Sequence, residues 1–147
     1  MNAVRILETV HGHLGVLSAA SLLHPAILMR RGQQLSRGAR WAIGLATAFA
    51  VSAFSMGIVI YENYRSNVKQ GLFIIDNQAG YLFETKEHLT FAVVTVSLAA
   101  AVCAFTAPRE RRDLRQAAAA AFLTASLIAT TVCVLGTYVA AVHTFHE

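Results

Sequence analysis

Charged side chains are scarce in this chain of 147 residues. Only 14% of its residues are Asp, Glu, Lys or Arg and 56% are hydrophobic, whereas about 25% are charged in a typical soluble domain. The mean hydropathy is correspondingly high, at +0.52. The shortage is also uneven, because four stretches contain no charged side chain at all: residues 9–29, 41–61, 88–107 and 116–146. This composition excludes an ordinary soluble domain.

Several signatures of specialised chemistry are missing as well. The only two cysteines, Cys103 and Cys133, have no CxxC or Cys/His spacing, and we interpret them as small buried hydrophobic residues. There is no glycine-rich phosphate loop and no evident pairing of a nucleophile with a base. No basic run carries the interleaved aromatics expected of a nucleic-acid site. The charge-free stretches also lack the carboxylate, lysine and arginine side chains that ion pumps and proton relays usually place inside a membrane, which argues against a transporter.

Each charge-free stretch is long enough for a helix that crosses the hydrocarbon core, which takes about 20 residues. We predict one all-α integral membrane domain over residues 1–147, with four transmembrane helices at about 9–29, 41–61, 88–107 and 117–141. The first stretch lacks a basic start and a small-residue cleavage site, so we expect an uncleaved helix. Short connections favour an up-down-up-down bundle. Small residues crowd helices 2 to 4 and predict close helix packing.

The distribution of Lys and Arg predicts the orientation of the chain. The two short connections and their flanks carry eight of these residues and the opposite side carries four. Because basic loops stay on the cytoplasmic side, the short connections should be inside. Both termini and the long connection, residues 62–87, should then be outside a bacterial inner membrane. We expect this connection to be a loop that forms a hairpin, an interfacial lid or an ordinary connector.

Histidine is the residue type that remains to carry chemistry. With this topology, five of the six histidines gather at the outer face of the membrane, and only His24 lies towards the cytoplasmic side. The five are His11, His13, His88, His143 and His146.

Three interpretations of these histidines remain open. Two of them involve a bound ligand, and in the third the histidines are polar residues at the membrane interface without a ligand. In the first, histidines from two helices ligate a haem iron, since bundles commonly hold cofactors between facing helices. His11 and His88 lie at similar depth on helices 1 and 3, which are diagonal and roughly 13 Å apart in such a bundle. In the second, a bare transition metal binds Glu84, Glu87 and His88, which can share one helical face.

His24 differs from the other histidines in its position. It shares a helical face with His13 but lies roughly 16 Å away along the axis, and helices 2 and 4 offer no histidine at its depth. Pro25 leaves the Ser21 carbonyl without its usual helical partner. We therefore predict that His24 makes a hydrogen bond within the bundle. The alternative is a ligand shared with another subunit.

Two stretches resemble a known family. HGHLGVLSAASLLHPAILMRR, residues 11–31, is similar to the first core helix of the cytochrome b-561 family, particularly its DOMON-associated branch. That helix opens with His-Gly, continues with small and apolar residues and ends in an arginine. KEHLTFAVVTVSLAAAVCAF, residues 86–105, is similar to the third core helix, which begins with a histidine at its outer end. The family pairs these helices around one haem, which implies that His11 and His88 are axial ligands.

The sequence also departs from that family. The family's second haem uses histidines on core helices 2 and 4, but here helix 2 has none and helix 4 has none before His143. The resemblance therefore implies one haem b, held by His11 and His88, with His13 and His143 as alternative ligands.

The expected function is that of a membrane b-type cytochrome that transfers single electrons, as an electron-transfer protein or an oxidoreductase subunit. Its expected partners are membrane lipid, a quinone or redox protein, and the other subunits of a larger membrane complex. The competing prediction is a non-haem membrane subunit that is structural or binds a transition metal at the outer face.

Overall fold

The computed structural model describes residues 3–144, and it describes side chains for residues 5–143. Every regular element in this part of the chain is helical. The elements are α1 (Ala3–Met29), α2 (Arg37–Tyr64), a π-helical segment (Arg65–Lys69), α3 (Gln70–Ile75), α4 (Asn77–Thr106) and α5 (Arg112–Thr144).

Four helical stretches are long and apolar enough to cross a membrane, and they are Arg5–Met29, Arg37–Ile75, Asn77–Thr106 and Arg112–His143. Large apolar side chains point outward along them: Val59 is 69% exposed, Leu127 62% and Val102 61%. Such side chains suit contact with lipid, in which helices satisfy their own backbone hydrogen bonds. The predicted all-α membrane fold with four spanning helices is confirmed.

Two exposed aromatic residues on α2 mark the expected thickness of the hydrocarbon layer. Trp41 is 64% exposed and Tyr61 is 38% exposed, and the separation of twenty positions between them corresponds to about 30 Å of helix. A bilayer's hydrocarbon core is about 30 Å thick, and Trp and Tyr are enriched at both of its surfaces. The helical stretch continues from Tyr61 to Ile75, so with Trp41 and Tyr61 at the two surfaces we expect residues 62–75 to project beyond the membrane.

The long connection over residues 62–87 is helical, so the predicted loop is wrong. The second spanning stretch continues through the π-helical segment into α3, and α4 begins at Asn77. Only Asp76 interrupts the helices, and its side chain caps α4 by accepting a hydrogen bond of 2.9 Å from the Gln78 amide. The polar residues that suggested a loop are instead the surface of two helices that project past the membrane boundary.

The four long helices form the predicted up-down bundle. Helix α1 packs against α2 and α5, and α4 packs against α5 and α2. Helices α1 and α4 are therefore diagonal, as are α2 and α5. Small side chains fill most of the core, which allows close approach of the helices. The larger core residues Leu22, Ile43 and Phe122 are fully buried among alanines such as Ala46 and Ala125.

The two ends of the bundle differ in character. We call the end that carries the connections 30–36 and 107–111 the arginine end. We call the opposite end, where His11, Tyr64, Lys86 and Gly136 lie, the histidine end. A second, smaller core at the histidine end consists of Leu72, Ala79, Phe83 and Val139. This core fixes the projecting helices against α5.

One buried arginine ties together the connections at the arginine end. Arg115 is only 5% exposed, and its guanidinium donates hydrogen bonds to the carbonyl oxygens of Gly32 at 3.0 Å, Pro108 at 2.7 Å and Arg109 at 3.0 Å. Gly32 has a φ of +62° and permits this tight turn after α1. The side chain of Arg112 adds a hydrogen bond of 2.8 Å to the Arg31 carbonyl.

Candidate functional site

The predicted ligand His11 points from α1 towards α2. Its ring is half-buried, and Nδ1 lies 3.0 Å from the Ala53 carbonyl oxygen. The absence of a side chain at Gly57 makes this contact possible, since a Cβ there would lie 3.1 Å from His11 Cε1. With Nδ1–H donating to the carbonyl, Nε2 carries the free lone pair. His11 therefore sits between neighbouring helices rather than on the bundle's diagonal.

His13 and His88 lie on the outside of the bundle. Both are exposed, and each places Nδ1 2.7 Å from the carbonyl oxygen four residues earlier, that of Thr9 for His13 and that of Glu84 for His88. A histidine whose Nδ1–H donates to a backbone carbonyl presents Nε2 as a metal ligand in the required tautomer. These two side chains are thus in the tautomer that a metal ligand requires, but they face the outside of the bundle.

The remaining histidines are dispersed. His143 is half-buried near the end of α5, and His146 lies outside the described residues. His24 is exposed on α1 and makes no hydrogen bond with any residue between 5 and 143. The hydrogen bond that we predicted within the bundle is therefore not formed, because His24 faces outward.

The structure does not bring His11 and His88 together. Helices α1 and α4 are diagonal, as predicted, but His11 turns to α2 and His88 lies on the exposed side of α4. The side chains of one chain thus do not fit a haem between these two residues. His88 does border an open concavity of about 340 Å³, which is also lined by Tyr81, Glu84, Thr85 and Leu89.

The acidic residues near His88 do not form a metal site with it. Lys69 lies 3.2 Å from Glu84 Oε1 and 3.2 Å from Glu87 Oε2, so both carboxylates pair with an ammonium. Over the described part of the chain, no group of three or more His, Cys, Asp or Glu residues could hold a metal ion. The described geometry therefore gives no support to a bare transition-metal site here.

The most unusual residue of the histidine end is Lys86, which sequence analysis placed in a loop. It lies on α4, half-buried, with Nζ 4.7 Å from the centre of the Phe83 ring and 5.8 Å from that of Tyr64. The two rings stack with centroids 5.6 Å apart and planes 6° apart. Within residues 5–143, the ammonium has no hydrogen-bond acceptor and no ion pair.

Glycines on two other helices lie against the groups around Lys86, at distances that leave ordinary van der Waals space for a Cβ. A Cβ at Gly136 of α5 would lie 3.6 Å from Lys86 Cδ, and one at Gly15 of α1 would lie 3.6 Å from Cys133 Sγ. The ammonium is also near enough to interact electrostatically with His11 and Cys133. We call the group formed by His11, Tyr64, Phe83, Lys86 and Glu87 the Lys86 cluster.

A signal for Lys86 was present in the sequence. The buried face of α4 includes Phe83, Val93, Ser97 and Ala100, and position 86 continues this face at the spacings of three and seven residues expected of a helix. Recognising it required knowing that α4 begins at Asn77 rather than at residue 88.

Comparison with known proteins identifies no relative. The chain matches no family model, no curated protein and no solved structure.

Proposed function

We propose that this protein is an electron-transfer subunit of a membrane complex and that it binds one b-type haem per chain, each held between two copies. The axial ligands in this proposal are His88 of one copy and His13 of a second copy. The observation that carries the proposal is that both side chains are exposed and present a free Nε2. His11, by contrast, is turned into the bundle.

The positions of the two histidines along the membrane support this pairing. His13 lies sixteen residues from Met29, the end of α1, and His88 lies eighteen residues from Thr106, the end of α4. These separations correspond to about 24 Å and about 27 Å from the arginine end. Two copies in the same orientation would therefore present the residues at nearly equal depth.

The surroundings of His88 suit a planar apolar group with polar edges. The concavity beside it is lined by the aromatic ring of Tyr81 and by Leu89, together with Glu84 and Thr85. A haem bound there would supply a one-electron carrier whose potential depends on its ligands and its burial. The chain's own residues would hold the iron, shield one face and keep the histidine tautomer fixed through the Glu84 carbonyl. A quinone or a redox protein of the complex would exchange the electrons.

The test is a complementation experiment with absorption spectra. We expect the purified protein to show a low-spin b-type spectrum, and we expect His13→Ala and His88→Ala each to abolish it. Co-expression of the two variants should restore part of the haem, because a mixed pair contains one complete site. His11→Ala and His24→Gln are the controls and should retain full haem content. Haem that survives His88→Ala, or two variants that never complement, would contradict the proposal.

The orientation in the membrane is the second part of the proposal. The basic connections at the arginine end favour a cytoplasmic location, with the histidine end outside a bacterial inner membrane. Cysteine labelling of intact cells tests this with Gln33→Cys and Ile74→Cys, in a chain whose native cysteines are replaced by alanine. Both positions are exposed, and Gln33 lies in the connection after α1 at the arginine end. An impermeant reagent should modify position 74 and leave position 33 unmodified.

A further inference from the structure

The Lys86 ammonium meets no hydrogen-bond acceptor among residues 5–143. It lies over the faces of two rings and is attracted by Glu87 without forming an ion pair with it, whereas an ammonium has three N–H donors. A cation withdrawn from water costs free energy unless hydrogen bonds or ion pairs offset it, so an ammonium without them is a candidate binding group. The arrangement thus lacks a hydrogen-bond acceptor that a bound molecule would supply.

We propose that the Lys86 cluster binds the head group of a membrane quinone. The proposal takes its ligand class from the redox function proposed above, but it concerns a separate site. Lys86 and His88 are two residues apart on α4, which places them about 200° apart around the helix. The quinone site therefore faces the bundle, and the proposed haem site faces away from it.

The charge of the cluster favours a neutral ligand over an anion. Lys69 pairs with Glu84 and with one oxygen of Glu87. The positive charges of the two lysines, 69 and 86, are balanced by the negative charges of the two glutamates, 84 and 87. An anion would therefore meet no net positive charge. The other oxygen of Glu87 is buried without a hydrogen-bond partner, which makes the site still less suited to an anion. A quinone carbonyl oxygen is a neutral acceptor that can accept from Lys86.

The cluster offers partners for both redox states of the same head group. The ammonium of Lys86 can donate to the carbonyl oxygen of a quinone. The lone pair on His11 Nε2 can accept from the hydroxyl group of a quinol, because Nδ1 is occupied by the Ala53 carbonyl. The stacked rings of Tyr64 and Phe83 provide apolar faces beside these groups. A ligand that carries only a donor or only an acceptor would use half of this arrangement.

The level of the site in the membrane matches that of a quinone head group with its tail in lipid. Tyr64 lies three residues beyond Tyr61, which marks the membrane surface on α2, and it is the neighbour of Lys86. The helices below this level present large apolar side chains to lipid. A polyprenyl tail can therefore leave the cluster directly into the hydrocarbon layer.

The test measures equilibrium binding of decyl-ubiquinone and of a short-chain menaquinone to the protein in nanodiscs, with empty nanodiscs correcting for partition into lipid. Wild-type protein should bind at least one of the two saturably, and Lys86→Met should raise the Kd at least about tenfold. Lys86→Arg keeps the charge and should lose less. His11→Ala should weaken quinol binding more than quinone binding. Ser66→Ala, at an exposed residue two positions after Tyr64, is the matched control and should bind normally.

Two further measurements separate this inference from the haem proposal and from other ligands. His88→Ala should lose haem yet bind quinone with the wild-type Kd, so either proposal can fail without the other. Inorganic phosphate and vesicles of phosphatidylglycerol should not displace the quinone. The inference is overturned by non-saturable binding in wild-type protein, by an unchanged Kd in a folded Lys86→Met variant, or by competition from phosphate or from the anionic lipid.

Discussion

Arg115 at the arginine end and Lys86 at the histidine end are both cations withdrawn from solvent, but their environments are opposite. Three backbone carbonyl oxygens accept hydrogen bonds from the Arg115 guanidinium. The Lys86 ammonium meets two aromatic rings and no hydrogen-bond acceptor among the described residues. The fold supplies hydrogen-bond acceptors to the guanidinium of Arg115. The described part of the chain supplies none to the ammonium of Lys86, which can therefore donate to a bound molecule.

This contrast separates a structural charge from a functional one. A charge withdrawn from water costs free energy unless hydrogen bonds or ion pairs offset it. Arg115 meets that condition because its planar fork of donors matches carbonyls from two connections. Lys86 does not meet it, since a cation–π contact contributes only about 0.5–2 kcal/mol. The uncompensated free-energy cost at Lys86 therefore indicates a ligand-binding role. Measurements of unfolding stability can distinguish this role from the structural role of Arg115.

The largest loss of stability should follow from Arg115→Met. The substitution leaves three carbonyl oxygens without their donor and releases both connections at the arginine end. Hydrogen bonds to charged groups are worth about 1.5–3 kcal/mol each, and water at the membrane surface will replace some of them, so we expect a loss of about 3 kcal/mol. Thermal unfolding followed by circular dichroism in detergent measures it. Arg109→Met, at an exposed side chain of the same connection, should change the stability little, and an equal loss in both would contradict the assignment.

A somewhat smaller loss should follow from Gly32→Ala. A Cβ at this position would lie 2.5 Å from Arg112 Cγ and 2.7 Å from the Arg112 carbonyl oxygen, and φ is +62°. The left-handed conformation alone costs an L-residue about 1–2 kcal/mol, so we expect a total of at least about 2 kcal/mol. Gly38→Ala is the control, because its nearest neighbour would be 3.9 Å away. A similar melting temperature for both variants would show that the turn after α1 is not constrained.

The two lysines of the histidine end should respond in opposite directions. Lys69→Met removes two ion pairs and leaves Glu87 without a partner on either oxygen, so we expect a loss of about 2 kcal/mol. Lys86→Met replaces an unpaired ammonium by an apolar chain of similar length, so the melting temperature should stay level or rise. The same unfolding experiment compares them. A loss in Lys86→Met as large as that in Lys69→Met would mean that Lys86 is structural, like Arg115.

Sequence analysis predicted the parts of this molecule that depend on apolar composition. Four charge-free stretches gave four spanning helices, and short connections gave the up-down order. The helices over residues 62–87 were missed because polar residues on a projecting helix lower the local hydropathy just as a loop does. The position of Lys86 was missed for the same reason, since a residue's face is defined only when the start of its helix is known.

The histidines show a second limit of sequence reasoning. Their level along the membrane followed from their distance to the basic connections, but the direction in which each ring points did not. His11 turns to α2 because Gly57 leaves space for its ring and the Ala53 carbonyl is within reach. Both groups belong to a different helix, and the Ala53 carbonyl is 42 residues later in the chain than His11. No pattern within α1 alone distinguishes an inward ring at position 11 from an outward ring at position 13.

The smallest effect should come from a pair of glycines on α2 and tests the position of His11. A Cβ at Gly44 would have no neighbouring atom within 4 Å. The variant Gly44→Ala should therefore gain up to about 1 kcal/mol of unfolding free energy from helix propensity. Gly57→Ala should gain nothing, because its Cβ would lie 3.1 Å from His11 Cε1 and must displace the ring. In a His11→Ala background the ring is gone, and Gly57→Ala should then gain as much as Gly44→Ala. This double-mutant cycle isolates the contact between residues 11 and 57. If Gly57→Ala stabilises the wild-type chain as much as Gly44→Ala does, His11 does not rest against α2, and its ring is free to face the diagonal helix α4.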